Sequence, residues 1–187
     1  MHFVFVHLPA AATDDTARAV DAALAGADTM LLAGVRDRVM EGTLTDGRSW
    51  LASFDDETCA QASAVSLGAA LVGAPEAAAL AIEGAGVPLS PDETAWLVAN
   101  HTVVDAARFK PYVAAVADVT ARHGGRFLAR AGRTVRIAGT IEAGRSVILA
   151  FADRAAAERF YAAPDYAPLL ALRLATTRPN MLLAPAA

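Results

Sequence analysis

The chain has 187 residues, enough for one large domain or two of roughly 90, and in either case enough to bury a core without staples. Its formal net charge of −4, with 19% charged and 55% hydrophobic residues, carries no clustered excess of Lys and Arg, which excludes the electrostatic footprint of a nucleic-acid binder. A lone Cys59 excludes an intrachain disulfide framework and leaves no cysteine ligand set for a metal.

The opening Met1-His2-Phe3-Val4-Phe5-Val6-His7 lacks a basic region followed by a signal-length apolar run, and no stretch reaches the roughly 18 apolar residues of a membrane span. The expectation is a cytoplasmic protein without membrane or nucleic-acid partners. In chain order, a strand is predicted at His2 to His7 and a helix from Asp14 to Ala25. Strands are predicted near Thr29 to Ala33, Arg38 to Leu44 and Arg48 to Phe54, then a helix from Asp55-Asp56 and a weak strand at Ala79 to Glu83. The acidic pairs Asp14-Asp15 and Asp55-Asp56 suit helix N-termini and do not read as catalytic carboxylates. Pro88 and Ser90-Pro91 mark a connection, giving units at 1–86 and 95–187 joined by a linker at 87–94.

The second unit begins with an apolar strand from Trp96 to Val103. Asp105 caps a helix whose Phe109, Tyr112, Val113, Val116, Ala117 and Thr120 follow helical spacing, and His123-Gly124-Gly125 ends it. Arg126 to Arg130 and Thr134 to Ile141 form a strand kinked at Ala131-Gly132, and Arg145 to Phe151 forms the next. Strict alternation places Arg126, Leu128 and Arg130 on one face. Asp153 opens a helix that runs through Tyr161 and is stopped by Pro164. A short helix at Tyr166 to Leu174 and a strand at Asn180 to Ala184 close the chain.

The two units repeat each other. Gly42-Thr43-Leu44 and Gly47-Arg48-Ser49 recur 97 residues later as Gly139-Thr140-Ile141 and Gly144-Arg145-Ser146. Phe54 then meets Phe151 and Asp56 meets Asp153, whereas Phe3 to Val6 lie over Trp96 to Ala99 at an offset of 93, which places a short deletion in the first helix or the turn after it. Agreement across strand, turn, strand and helix identifies a tandem duplication of a ferredoxin-like βαββαβ unit. Such a unit leaves one sheet face apolar, and two linked copies bury it by facing each other. The fold class is α+β, an intramolecular dimeric α/β-barrel.

Several segments of the second unit also carry a family pattern: Asp105 to Tyr112, His123-Gly124-Gly125-Arg126-Phe127-Leu128-Ala129-Arg130, Arg145 before an apolar strand, Ala155 to Tyr166, and Leu172-Arg173. In these it resembles the uncharacterised bacterial domain of unknown function 1330 family of the dimeric α/β-barrel superfamily, over roughly Trp96 to Pro185. Two departures stand out. The family's usual Glu-Gly is Ala138-Gly139 here and survives only in the first copy as Glu41-Gly42, and Ala163 replaces the usual Ser before Pro164. The first copy has lost the Phe-Tyr-x-x-Pro-x-Tyr segment. The resemblance implies the fold, and a small-molecule cavity between sheet and helices that is intact only in the second half.

Candidate chemistry follows from that cavity. His101, at a strand end, is a candidate general base near neutral pH, with Tyr161 and Arg173 beside it as catalytic candidates. Arg130, Arg145, Tyr166 and His123 are candidate ligand-binding residues, and Arg130, Arg133, Arg136, Arg145 and Arg173 could converge on a carboxylate or enolate. Each has a structural alternative: His123 complements a helix C-terminus, the arginines alternate as on a half-exposed sheet, and a tyrosine can sit buried with one satisfied hydroxyl. No cofactor, metal, phosphate loop or nucleophile motif is expected, although haem would fit a His facing a large cavity. The expected function is a cofactor-independent enzyme of the monooxygenase, isomerase or cyclase type on a small oxygenated molecule. The alternative is a non-catalytic module binding a small ligand or another protein. The expected assembly is a pseudo-dimer, as a monomer or homodimer.

Overall fold

A computed structural model describes residues 1–185. The first half runs β1 (His2–Pro9), α1 (Asp14–Leu24), β2 (Thr29–Arg36), β3 (Arg38–Glu41), β4 (Gly47–Phe54), α2 (Glu57–Ala70) and β5 (Ala78–Glu83). The second runs β6 (Ala95–Val103), α3 (Ala106–Arg122), β7 (Arg126–Arg130), β8 (Thr134–Ala138), β9 (Arg145–Phe151), α4 (Arg154–Tyr161), α5 (Ala167–Thr176) and β10 (Thr177–Pro185). Short polar side chains start the helices by accepting a backbone N–H three residues on: Thr13, Asp56, Asp105 and Asp153 cap α1, α2, α3 and α4.

The strands make two antiparallel sheets ordered β2-β4-β1-β5-β8 and β3-β10-β6-β9-β7. Each sheet therefore takes four strands from one half and one edge strand, β8 or β3, from the other. The exchange rests on the two kinks. Chain leaving β2 breaks at Asp37 and re-forms as β3 against β10, with Glu41 opposite Met181. Chain leaving β7 breaks at Ala131, whose φ of 59° is left-handed, and re-forms as β8 against β5. The register confirms the repeat: His7 faces Ser49 and Asn100 faces Ser146, so the offset is 93 on one strand and 97 on its neighbour.

Three cores result. The inner faces of both sheets share one, with Phe3, Phe5 and Leu80 against Trp96, Val98, Ile148 and Leu182. Each outer face packs on its own helices, around Val6, Val20 and Leu67 in the first half and Leu97, Phe109, Phe160 and Leu183 in the second. The barrel interior is closely filled, with a residual void of about 10 Å³. One alternation fails: a bulge between Phe127 and Ala129 turns both Leu128 and Ala129 toward the shared core, so Arg126 and Leu128 keep one face while Arg130 falls on the other with Phe127. Among the described residues no helix is long and apolar enough to cross a membrane.

Candidate functional site

The second half's helices cross the strand borrowed from the first, and the polar side chains gather at that crossing. Glu41 ends β3, and the turn behind it is dictated by backbone contact. Gly42 has φ +97°, and a Cβ there would stand 2.3 Å from the Pro179 carbonyl oxygen. Gly139, its counterpart, would meet the Ala77 carbonyl at 1.7 Å. Only glycine fits either turn.

Opposite Glu41, Pro164 ends α4 just after Tyr161, and the chain restarts as α5 with Pro168 in its first turn, where a missing N–H costs nothing. That break aims Tyr161 and Arg173 at the same point. The Arg173 guanidinium grips Glu41 through both ends, Nη1 to Oε2 at 2.7 Å and Nη2 to Oε1 at 2.5 Å, and the Tyr161 hydroxyl donates to Oε1. The Arg173 side chain is wholly buried and that of Glu41 is 7% exposed. Behind them, Phe160 packs on Tyr166 with ring centroids 4.5 Å apart, and Tyr161 lies 6.1 Å from Tyr166.

His101, on β6, is 2% exposed, and its Nδ1 has no hydrogen-bond partner among the described residues. It lines a cavity of about 20 Å³ with Tyr112, Phe160, Tyr166 and Met181. Such a volume accommodates about one water molecule. Arg173 Nε, also buried, is likewise without a partner among the described residues.

The electrostatics follow from burial and pairing. Burial opposes ionisation of Glu41, but the Arg173 hydrogen bonds and charge, with the Tyr161 hydroxyl, outweigh it and hold the carboxyl below the usual carboxylate range. Burial pulls His101 down to about 3, helped by the Arg173 and Arg145 charges and only partly offset by Glu41, so its imidazole is neutral at pH 7. Burial and Glu41 together push the Tyr161 hydroxyl up, keeping it a donor. The result is a fixed ion pair beside a neutral imidazole with a bare ring nitrogen.

The structure thus brings His101, Tyr161, Tyr166 and Arg173 together. Arg145 stands across from His101 on β9, its guanidinium 5.9 Å from the Phe109 ring centroid, and opens on a cleft of about 470 Å³ that Lys110 also lines. Arg130 packs over Phe127 and donates to the Val113 carbonyl, close enough to Arg145 to disfavour its charge after burial has done so. His123 lies apart, bonded to Asp165 at 2.8 Å at the end of α3. The five arginines do not converge, because the kink sends Arg133 and Arg136 to the other half's sheet.

Sequence reasoning missed Glu41 as a site residue and treated Tyr112 as core. A signal for Glu41 was present: Glu-Gly survives only in the first copy and the Tyr-bearing segment only in the second, the reciprocal loss expected of a site built from both. Among the described residues, no group of three His, Cys, Asp or Glu side chains is placed to hold a metal ion.

Comparison with known proteins agrees with this architecture. The chain is similar in fold to an anthrone oxidase-like protein (12% identity, TM-score 0.50, covering 100% of this chain and 91% of that one). It is also similar to a major regulator of staphylococcal pathogenesis (10% identity, TM-score 0.52, covering 100% and 99%). At such identities the likeness concerns the fold. No curated protein matches the sequence. The family model described as Domain of unknown function (DUF1330) matches residues 94–187, just over half the chain and all of the α4–α5 segment that supplies Tyr161 and Arg173, so the protein belongs to that family.

Proposed function

We propose that the composite site belongs to a cofactor-independent enzyme that removes a proton from a small oxygenated organic molecule, the first step shared by monooxygenase, isomerase and cyclase chemistry. One observation carries this reading: a neutral, buried His101 with an unpartnered Nδ1 lines a cavity beside the Arg173–Glu41 pair. Nδ1 takes the proton from a carbon next to a carbonyl, and the C–H electron pair moves onto the carbonyl oxygen. The resulting enolate faces the positive charges of Arg145 and Arg173, which are already oriented and so cost no reorganisation when charge develops.

Magnitude limits the substrate. An imidazole at about 3 is a weak base, and one bound anion nearby raises it by about 1–3 units. The carbon acid must therefore be activated, flanked by two carbonyls or by a carbonyl and aryl rings, as in an anthrone. The cationic mouth formed by Arg145 and Lys110 suits an anionic or readily ionised molecule entering past Phe109.

A second reading has its own observation. The cavity of about 20 Å³ is too small for an organic substrate as it stands, which favours a non-catalytic module in which the ion pair fastens the halves together. Deuterium incorporation at the acidic carbon of anthrone and of ethyl benzoylacetate, followed by proton NMR in deuterated buffer, separates the two. The enzyme reading requires protein-dependent exchange that His101→Phe removes. Exchange no faster than in buffer, with both acids, leaves the module.

A further inference from the structure

A cavity much larger than the one beside His101 lies elsewhere in the molecule. It lies at the other crossing, where α2 passes over β8, and forms an open groove of about 710 Å³. In the 97-residue register Ala64 stands where Tyr161 stands in the first crossing, and Ala138 where Glu41 stands. The helix also differs. Without a proline to break it, α2 runs on to Ala70, touching β8 where a Cβ on Gly68 would lie 4.0 Å from Ile137. Where the other crossing has a ring, Ala64 leaves space, and the groove's volume is that of a small-molecule site, about 300–1,000 Å³.

The lining is apolar and partly in water. Phe3 and Ile82 form a buried floor, whereas Val65 and Val135 on the walls are 75% and 45% exposed. Charged groups stand along the rim. Arg133 is occupied, its guanidinium 3.7 Å from Glu57 and its backbone N–H bonded to Glu83. Arg136 forms neither an ion pair nor a side-chain hydrogen bond among the described residues, so its guanidinium is free for a ligand, on a rim whose Glu57 meets Arg133 and whose Glu83 accepts the Arg133 N–H.

We propose that this groove binds an amphiphilic monoanion: an aliphatic chain lying along Ala64, Val65, Val135 and Ile137, with a terminal carboxylate on Arg136. The single free guanidinium sets the charge and the planar bidentate partner it prefers. The small and branched aliphatic walls set the chain.

Decanoate titrated into the full chain by calorimetry tests this, with decanol as its neutral counterpart. One decanoate binds per chain, and decanol binds about 10- to 100-fold more weakly, the loss expected for a charge-assisted hydrogen bond. Arg136→Gln weakens decanoate by a similar factor and leaves decanol unchanged. Ala64→Trp fills the groove and abolishes binding of both; should that variant not fold, Val65→Glu at an exposed wall position does the same. His101→Phe leaves decanoate binding intact, which separates the groove from the composite site. The proposal fails if millimolar decanoate does not bind, if decanol binds equally well, or if the groove variants bind as the parent does. It also fails if the chain forms a concentration-dependent dimer that Val65→Glu dissociates, for then a second copy covers this face.

Discussion

Twice in this molecule a helix of one half crosses a strand lent by the other, and the two crossings are held by opposite means. At α4–α5 over β3, three polar side chains from both halves are locked in a buried ion pair with a tyrosine on its flank. At α2 over β8, alanines hold the corresponding positions and the interface is a groove. The glycine turn behind each strand is the same, although α2 is continuous where α4 and α5 are split. What differs is where the cohesion comes from. Strand pairing, the shared barrel core and an exposed Arg133–Glu57 contact hold the hollow crossing without a buried ion pair. That contrast is the physical ground for treating the buried pair as a candidate site.

Breaking the pair is expected to give the largest effect. Arg173→Ala strands the Glu41 carboxylate in the interior and should cost about 3–5 kcal/mol in urea unfolding, whereas Arg133→Ala, which breaks the exposed Arg133–Glu57 contact of the hollow crossing, should cost less than about 1 kcal/mol. Equal losses would mean the two crossings are energetically alike.

Acid comes next. The folded chain refuses a proton at His101 that the unfolded chain accepts below about pH 6.5, so the stabilisation is full above that pH and falls as pH drops toward 3. Between pH 6.5 and 4.5, before Glu41 takes part, the loss should be on the order of 3 kcal/mol, and His101→Phe should flatten it. An unchanged slope would show that His101 titrates normally.

Placing a carboxyl in the hollow crossing should have a middling effect. Ala138→Glu restores the residue type of Glu41 without an arginine to meet it, and should destabilise by about 1–3 kcal/mol in thermal unfolding. A neutral or stabilising result would mean that water reaches this position.

The smallest contrast is between the matched serines. Ser49 donates to Asp37 and lies 3.1 Å from His7 Nδ1, whereas Ser146 only accepts from Asn100 at 3.2 Å. Ser49→Ala should cost about 2 kcal/mol and Ser146→Ala about 1, a difference readable by chemical denaturation.

Much of this was legible in the chain. The Gly-Arg-Ser repeat fixed the duplication, the shift from 97 to 93 is the register seen between the paired strands, and Pro164 marks the break between α4 and α5. Periodicity also placed Phe109, Tyr112 and Val116 on the buried face of α3. The exchange of strands was not legible. A kink at Ala131-Gly132 shows that the strand turns but not which sheet edge accepts it, because pairing partners are set by tertiary packing and not by local pattern. For the same reason Glu41 read as a family residue left in the wrong copy. The bulge at Leu128 hid similarly, since one extra residue overturns alternation without a compositional mark.

The exchanged strand has one more consequence. Where two identical chains form such a barrel, both crossings are written by the same residues, and any change at one is repeated at the other. Here the carboxylate at Glu41 and the alanine at Ala138 are separate positions of one sequence. The chain could therefore keep one crossing as inherited and let the other drift, which is how a single polypeptide comes to hold a closed, charged junction and an open, greasy one within the same symmetric frame.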